Sequence, residues 1–170
     1  MNQKKIFILN IMSNTYDIEK EKVLIYHVCS LGHDCASAQT FKRRKIKLES
    51  YPFDWLISNI DDIIDCLNTD FKHFLYHCEV KVDPRGIRNR HKYYNKIWSM
   101  HYPMNDSNYD YYSRCIERYK NLLKKEENKL FLIINRNIND DYPELKKSIN
   151  ILNKTLKKYT KNYYILHIHH

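Results

Sequence analysis

An apolar run that breaks on a glycine and restarts as a helix is the feature that most restricts this chain. Residues 23–29 (VLIYHVC) carry apolar side chains on both faces of an extended strand, the pattern of a strand covered from both sides. Ser30-Leu31-Gly32-His33-Asp34 follows, and then Cys35-Ala36-Ser37-Ala38. Only two of the 170 residues are glycine, and Gly32 is one of them. A residue free to adopt positive φ where a strand gives way to a helix predicts a sharp corner with exposed backbone amides. Asp34 is the predicted N-cap, which puts Cys35 at about the first helical position. The helix dipole and the N–H groups there favour a thiolate. Cys35 is therefore the candidate nucleophile.

The rest of the chain reads as alternating strands and helices. Residues 5–12 form a strand and 13–22 a polar connector, so that 1–21 is an N-terminal appendage to a motif core at 22–56. Ala36, Ala38 and Phe41 give the helix after Cys35 a small apolar face, and it ends before Tyr51-Pro52. Ser58 or Asn59 caps a second helix in which Ile60, Ile63, Ile64 and Leu67 share one face. Periodicity fades over residues 68–96, where Asp83-Pro84-Arg85-Gly86 reads as a turn between short strands. Residues 97–103 are a short extended run ended by Pro103. A helix over 108–125 has Tyr112, Ile116, Tyr119 and Leu123 on one stripe, and a buried strand follows at 130–135. The helix at 142–159 carries Leu145, Ile149, Leu152, Leu156 and Tyr159 in register, and 163–168 is a last strand.

This order predicts one α/β domain over residues 1–170, with a mostly parallel central sheet flanked by helices. Ligands of such sheets sit beyond the carboxyl ends of the strands. If the strands are parallel, one rim gathers Cys35, Arg136, His167 and His169.

Lys and Arg exceed Asp and Glu by nine, a balance that suits anionic partners. The positive charges are scattered, and the densest group is Lys42-Arg43-Arg44-Lys45, so nucleic acid is an admissible but not a favoured partner. No run approaches the roughly 20 apolar residues of a membrane span. The N-terminal KKIFILNIM lacks a small-residue cleavage pattern, which argues against a secretory signal. Five cysteines, an odd number without framework spacing, fit a reducing, cytoplasmic setting, or the host cytoplasm for a viral chain.

A cysteine nucleophile needs a base. His101 ends an extended run at a loop edge, a position suited to one; His33 lies two residues from Cys35. Asp54, between Phe53 and Trp55, is placed to orient an imidazole or to cap a turn. Backbone amides at Gly32, His33, Asp34 and Cys35 are candidates to receive an oxyanion. His73-x3-His77 with Cys66 and Cys78 is a weak zinc pattern, and there is no paired CxxC, HExxH, P-loop, GxGxxG or GxSxG. Neither a metal nor another cofactor is expected.

Ser30-Leu31-Gly32-x-x-Cys35-x-x-Ala38, the basic Lys42-Arg43-Arg44 and Tyr51-Pro52-Phe53-Asp54-Trp55 together resemble the putative papain-like cysteine peptidases, a family of unknown function found in bacteria and large DNA viruses. The likeness is tight over residues 28–56 and looser to 168, where His101, Arg114, Arg118 and Arg136 carry it. It implies a Cys35 nucleophile with His101 as base, and a papain-like α+β fold in which a Cys-bearing helix precedes an antiparallel sheet. Tyr102-Pro103 stands where the family carries an acidic–aromatic pair, and Asp106, His167 and His169 are the alternates to His101.

The reading is a cysteine peptidase, or a related thiol hydrolase or acyltransferase, acting on a peptide, isopeptide or other amide or ester. The competing reading is a non-catalytic basic module in which Arg43, Arg44, Arg136 and the histidines hold an anionic ligand or nucleic acid. A third is a structural protein that keeps the motif only as a core plug.

Overall fold

The computed structural model describes residues 7–11, 21–75, 78–83, 86–94, 96–99, 101, 105–136 and 142–169. In chain order the elements are β1 (Phe7–Ile11), β2 (Glu21–Ile25), β3 (His27–Ser30), α1 (Ala36–Arg43), β4 (Leu56–Ile57) and α2 (Ile60–Asn68). Then follow β5 (Cys78–Asp83), β6 (Gly86–His91), β7 (Trp98–Ser99), α3 (Tyr109–Lys124), β8 (Lys129–Asn135), α4 (Tyr142–Leu156) and β9 (Tyr163–His169).

A parallel sheet in the order β3-β8-β9 carries the rim on which the candidate site lies. β3 and β8 are apolar on both faces because both faces are covered, whereas β9 leaves Leu166 and Ile168 exposed. Cys29, Leu31, Phe131 and Ile133 pack with α2, α3 and α4, whose buried residues include Ile63, Tyr119 and Leu152. Val28, Leu130 and Leu132 pack on the opposite side against Phe41 of α1 and Val23 and Ile25 of β2. Because the strands are parallel, the turn after β3, Arg136 after β8 and the end of β9 share one edge, with Asn135 opposite His169.

The sheet prediction holds only for these three strands. Four others form a separate antiparallel sheet in the order β4-β7-β6-β5, and β1 pairs with β2 in an antiparallel hairpin. β4 and β7 are two-residue strands, too short to show a period, and β5 and β6 are rich in charged residues. Residues 84 and 85 lie outside the described residues, but Asp83 stands opposite Gly86, as the turn prediction requires. The papain-like expectation of a Cys-bearing helix ahead of an antiparallel sheet matches the order of α1 and β4, β5, β6 and β7, although α1 itself hangs from the parallel sheet.

Other boundaries shift for local reasons. The single strand expected at 23–29 breaks at Tyr26, where the Tyr26 and His27 amides both donate to the Asn128 carbonyl. The first half pairs with β1 and the second enters the parallel sheet. Glu21 and Lys22, placed in the connector by sequence, belong to β2. α1 stops at Arg43 because Lys45 turns left-handed (φ 56°) and the Ile46 amide closes back on Phe41. α4 ends at Leu156, so Tyr159 lies beyond the helix and is 40% exposed.

Candidate active site

The corner between β3 and α1 is set by Gly32. Its φ is +77°, and a Cβ there would meet Ser58 Oγ at 2.1 Å, so both backbone and space require glycine. His33 is also left-handed, at φ 69°. The corner is tied to the end of β4: the His33 amide donates to Ser58 Oγ (3.4 Å) and the Ser58 amide to the His33 carbonyl (3.4 Å). Ser37, fully buried on α1, accepts from the Ile134 amide (3.0 Å), which β3 is too short to satisfy. That bond docks the head of α1 against β8.

Cys35 occupies the N-cap position of α1. The capping side chain comes from one residue earlier: Asp34 Oδ1 accepts from the Ala36 amide at 2.6 Å. The other Asp34 oxygen takes Arg136 Nε at 2.7 Å and Arg136 Nη2 at 2.5 Å, bringing the end of β8 onto the turn. The Cys35 sulfur is half-buried and accepts from Gln39 Nε2 at 3.3 Å. Burial, and next the Asp34 carboxylate, raise the thiol above its ordinary range, while the Arg136 guanidinium and the cysteine's own amide pull it down. The sequence expectation of a dipole-stabilised thiolate is thus outweighed: the resting sulfur holds its proton more tightly than a free cysteine does. Cys29, Cys66 and Cys115 are buried.

The 51–55 block is a turn and a plug. Pro52 takes the second position of a β-turn closed by the Asp54 amide on the Tyr51 carbonyl (3.3 Å) and by Tyr51 N–H on Asp54 Oδ2 (2.9 Å). Phe53 is fully buried against Phe71, Phe74 and Tyr119. Asp54, 1% exposed, forms an ion pair with Lys47 at 2.6 Å. Burial still leaves its carboxyl above the usual value, with Lys47 opposing. Arg118 of α3 fixes the approach to the turn by donating to the Ser50 carbonyl (2.9 Å).

Trp55 turns outward. Lys42 Nζ stands 5.8 Å from its ring centroid, and the exposed His101 ring packs edge-on at 5.7 Å. Cys35, Gln39 and Lys42 lie on one face of α1, with Lys42 about 10 Å along the axis from Cys35. The structure thus assembles Cys35, Asp34, Gln39 and Arg136, and sets His101 apart from them, on Trp55. Among the described residues, no hydrogen bond joins His101 or Asp54 to the Cys35 sulfur.

The alternates lie elsewhere. His167 stands opposite Ile133 and lines a cavity of about 540 Å³ with Ile149, Asn153 and Lys157. His169 reaches the rim as backbone opposite Asn135, and Asp106 opens an exposed 3-10 turn. His73 stacks on Tyr93 at 4.1 Å, while His77 lies outside the described residues. No cluster of three or more metal-ligating side chains occurs among the described residues. Sequence reasoning missed Gln39, whose i, i+4 spacing from Cys35 was its available signal. It also missed His91, a buried structural imidazole bonded to the Phe74 carbonyl (2.9 Å) and to the Tyr93 and Tyr94 amides (3.0 Å each).

The corner, the plug and the Trp55–His101 pair all fall within residues 26–170, which match the family model described as "Putative papain-like cysteine peptidase (DUF1796)". The chain belongs to that family. That description names a cysteine peptidase as the family's proposed activity class, and with it a protein or peptide as the substrate class. No curated protein and no solved structure matches the chain. No helix among the described residues is long and apolar enough to cross a membrane.

Proposed function

We propose that this family member is a thiol hydrolase in which Cys35 attacks the carbonyl carbon of a peptide, isopeptide or related amide or ester, with His101 as the base. The observation that carries the reading is the half-buried Cys35 sulfur at the head of α1, on the carboxyl edge of a parallel sheet and within reach of a side-chain donor. Because the resting thiol is held protonated, attack requires a base to take its proton. His101 supports that role through its place against Trp55, whose ring lies by the ammonium of Lys42, two turns along α1 from Cys35. The reading requires its imidazole to come within hydrogen-bond reach of the thiol in the substrate complex. Asp54 acts through the fold: with Lys47 it holds the turn that presents Trp55, and through it His101.

Two turn amides expected to receive the oxyanion are already partnered, Gly32 by Ser30 Oγ (3.3 Å) and His33 by Ser58 Oγ. In the basic-module reading, Arg43 and Arg44 remain exposed cations, whereas Arg136 is committed to Asp34.

Mass-spectrometric mapping of new N-termini in a peptide pool tests the proposal. Cleavage by the wild type that vanishes in Cys35→Ala, and falls about a hundredfold or more in His101→Ala, is the expected result. Equal cleavage in wild type and Cys35→Ala overturns it. Salt-steep binding of nucleic acid, unchanged by Cys35→Ala and with no cleavage, would favour the basic module.

A further inference from the structure

We propose that the free edge of β9, with the cavity beside it, docks an extended acidic peptide segment as a further strand of the parallel sheet. β9 is as long as β8, seven residues, and among the described residues it pairs with β8 alone. β8 is almost wholly buried, whereas Leu166 and Ile168 of β9 are 39% and 42% exposed. Protein edges ordinarily carry a lysine, a proline or a bulge that discourages pairing. The sequence of β9, YYILHIH, has neither residue, and its register with β8 runs unbroken.

The cavity of about 540 Å³ lies along this edge. Tyr163, Tyr164 and Ile165 all line it, although successive side chains of a strand point to opposite faces. It therefore follows the strand's backbone and not one face alone. Ile149, Asn150 and Asn153 of α4 form the other wall. An edge strand beside such a wall suits an extended segment that pairs through its backbone and seats alternate side chains in the cavity.

Charge selects the occupant. Lys157 lines the cavity, no aspartate or glutamate does, and Lys158 and Lys161 are exposed just before β9 begins. Basic residues exceed acidic ones by nine in the whole chain. A second copy would bring like charges together at this edge, whereas an acidic segment pairs with them. β9 also ends on the rim that bears the β3–α1 corner, two strand spacings of about 4.8 Å each from β3. A docked segment and the bond presented to Cys35 thus fit on one polypeptide. That last link rests on the nucleophile reading above; the docking does not.

Fluorescence anisotropy on the Cys35→Ala chain keeps the two apart, because no Cys35 chemistry acts on the probe. The probes are fluorescein-labelled peptides of about nine residues, enough to span β9, alternating Thr and Val with Glu, Gln or Lys at both ends. The Glu probe is expected to bind about threefold tighter than the Gln probe, as one exposed charge pair allows, and the Lys probe worst. Lys157→Glu is expected to reverse the order of the Glu and Lys probes. Methylating the backbone nitrogens of one alternate set of probe residues is expected to abolish binding. The other set, whose N–H groups point away from β9, should tolerate it. Both sets acting alike, an order unmoved by Lys157→Glu, or no binding up to about 1 mM overturns the proposal. A stable dimer in sedimentation that excludes every probe assigns the edge to a second copy and overturns it too. Docking without any Cys35-dependent cleavage of a peptide pool by the wild type sinks the nucleophile reading and leaves the docking edge in place.

Discussion

Asp34 and Cys35 are adjacent and electrostatically opposed, and Arg136 arbitrates between them. The carboxylate caps α1 through the Ala36 amide and disfavours charge on the neighbouring sulfur, while the guanidinium works against it. Asp34→Asn keeps an oxygen for the cap but removes the charge, so the pH midpoint of Cys35 alkylation by iodoacetamide is expected to fall. Arg136→Ala is expected to move it upward. Equal midpoints in all three proteins would show that the pair does not govern the thiol. Gly32 makes a second prediction at this scale. Gly32→Ala forces an L side chain into the left-handed region, which costs roughly 1–2 kcal/mol, and drives a methyl into Ser58 Oγ. Urea denaturation is expected to show a loss beyond the backbone part alone, with Ser58→Ala in the same chain restoring only the excess.

The turn at 51–54 is held as an element by the Lys47–Asp54 pair. The Lys47 ammonium contacts Asp54, Ser50 Oγ and the Glu49 carbonyl, which uses its three donors. Lys47→Ala leaves a carboxylate that is 1% exposed without its counter-ion, an expected loss of about 3 kcal/mol at neutral pH. Burial already raises this carboxyl in the folded state, and removing Lys47 raises it further, so the loss should shrink as pH falls and the group takes a proton. A loss independent of pH would contradict this account of the turn. The same elements show where sequence was informative. α3 is read directly, because Tyr112, Ile116, Tyr119 and Leu123 keep the 3.6-residue period and all four are buried. The corner at Gly32 and Asp34 as the capping side chain are legible, since turn and cap chemistry are local, although the N-cap position falls one residue later, at Cys35. The break at Tyr26 was hidden because both halves of 23–29 are apolar, including Leu24, which the structure leaves exposed, and periodicity does not reveal which partner a strand pairs with. Arg136 reaching Asp34 across 102 positions, and His101 settling on Trp55, are products of tertiary packing that no spacing encodes.

Across the whole molecule, the parallel sheet brings the rim together, while α2, α3 and α4 enclose the larger apolar cluster on the face opposite α1. Asp62 on α2 belongs to that face and samples its pH dependence. Burial lifts its carboxyl to about 6, against Lys96, from an ordinary 3.8. The folded chain therefore holds this proton more tightly than the unfolded chain does. The stabilisation is complete below the ordinary value and is lost as pH rises through about 6. Asp62→Asn is expected to gain on the wild type between pH 4 and pH 7, as read from urea midpoints. A constant offset between the two proteins would contradict this.

The account stands on Cys35 as a nucleophile served by a base rather than as one half-buried thiol among several. A peptidyl acyloxymethyl ketone, which needs both an ionisable sulfur and a shaped groove, tests this most directly when its adducts are mapped by mass spectrometry. The predicted result is one adduct, on Cys35, that forms about a hundredfold more slowly in His101→Ala. Adducts spread over the cysteines in proportion to their exposure, or a Cys35 rate equal to that of free cysteine, would contradict it.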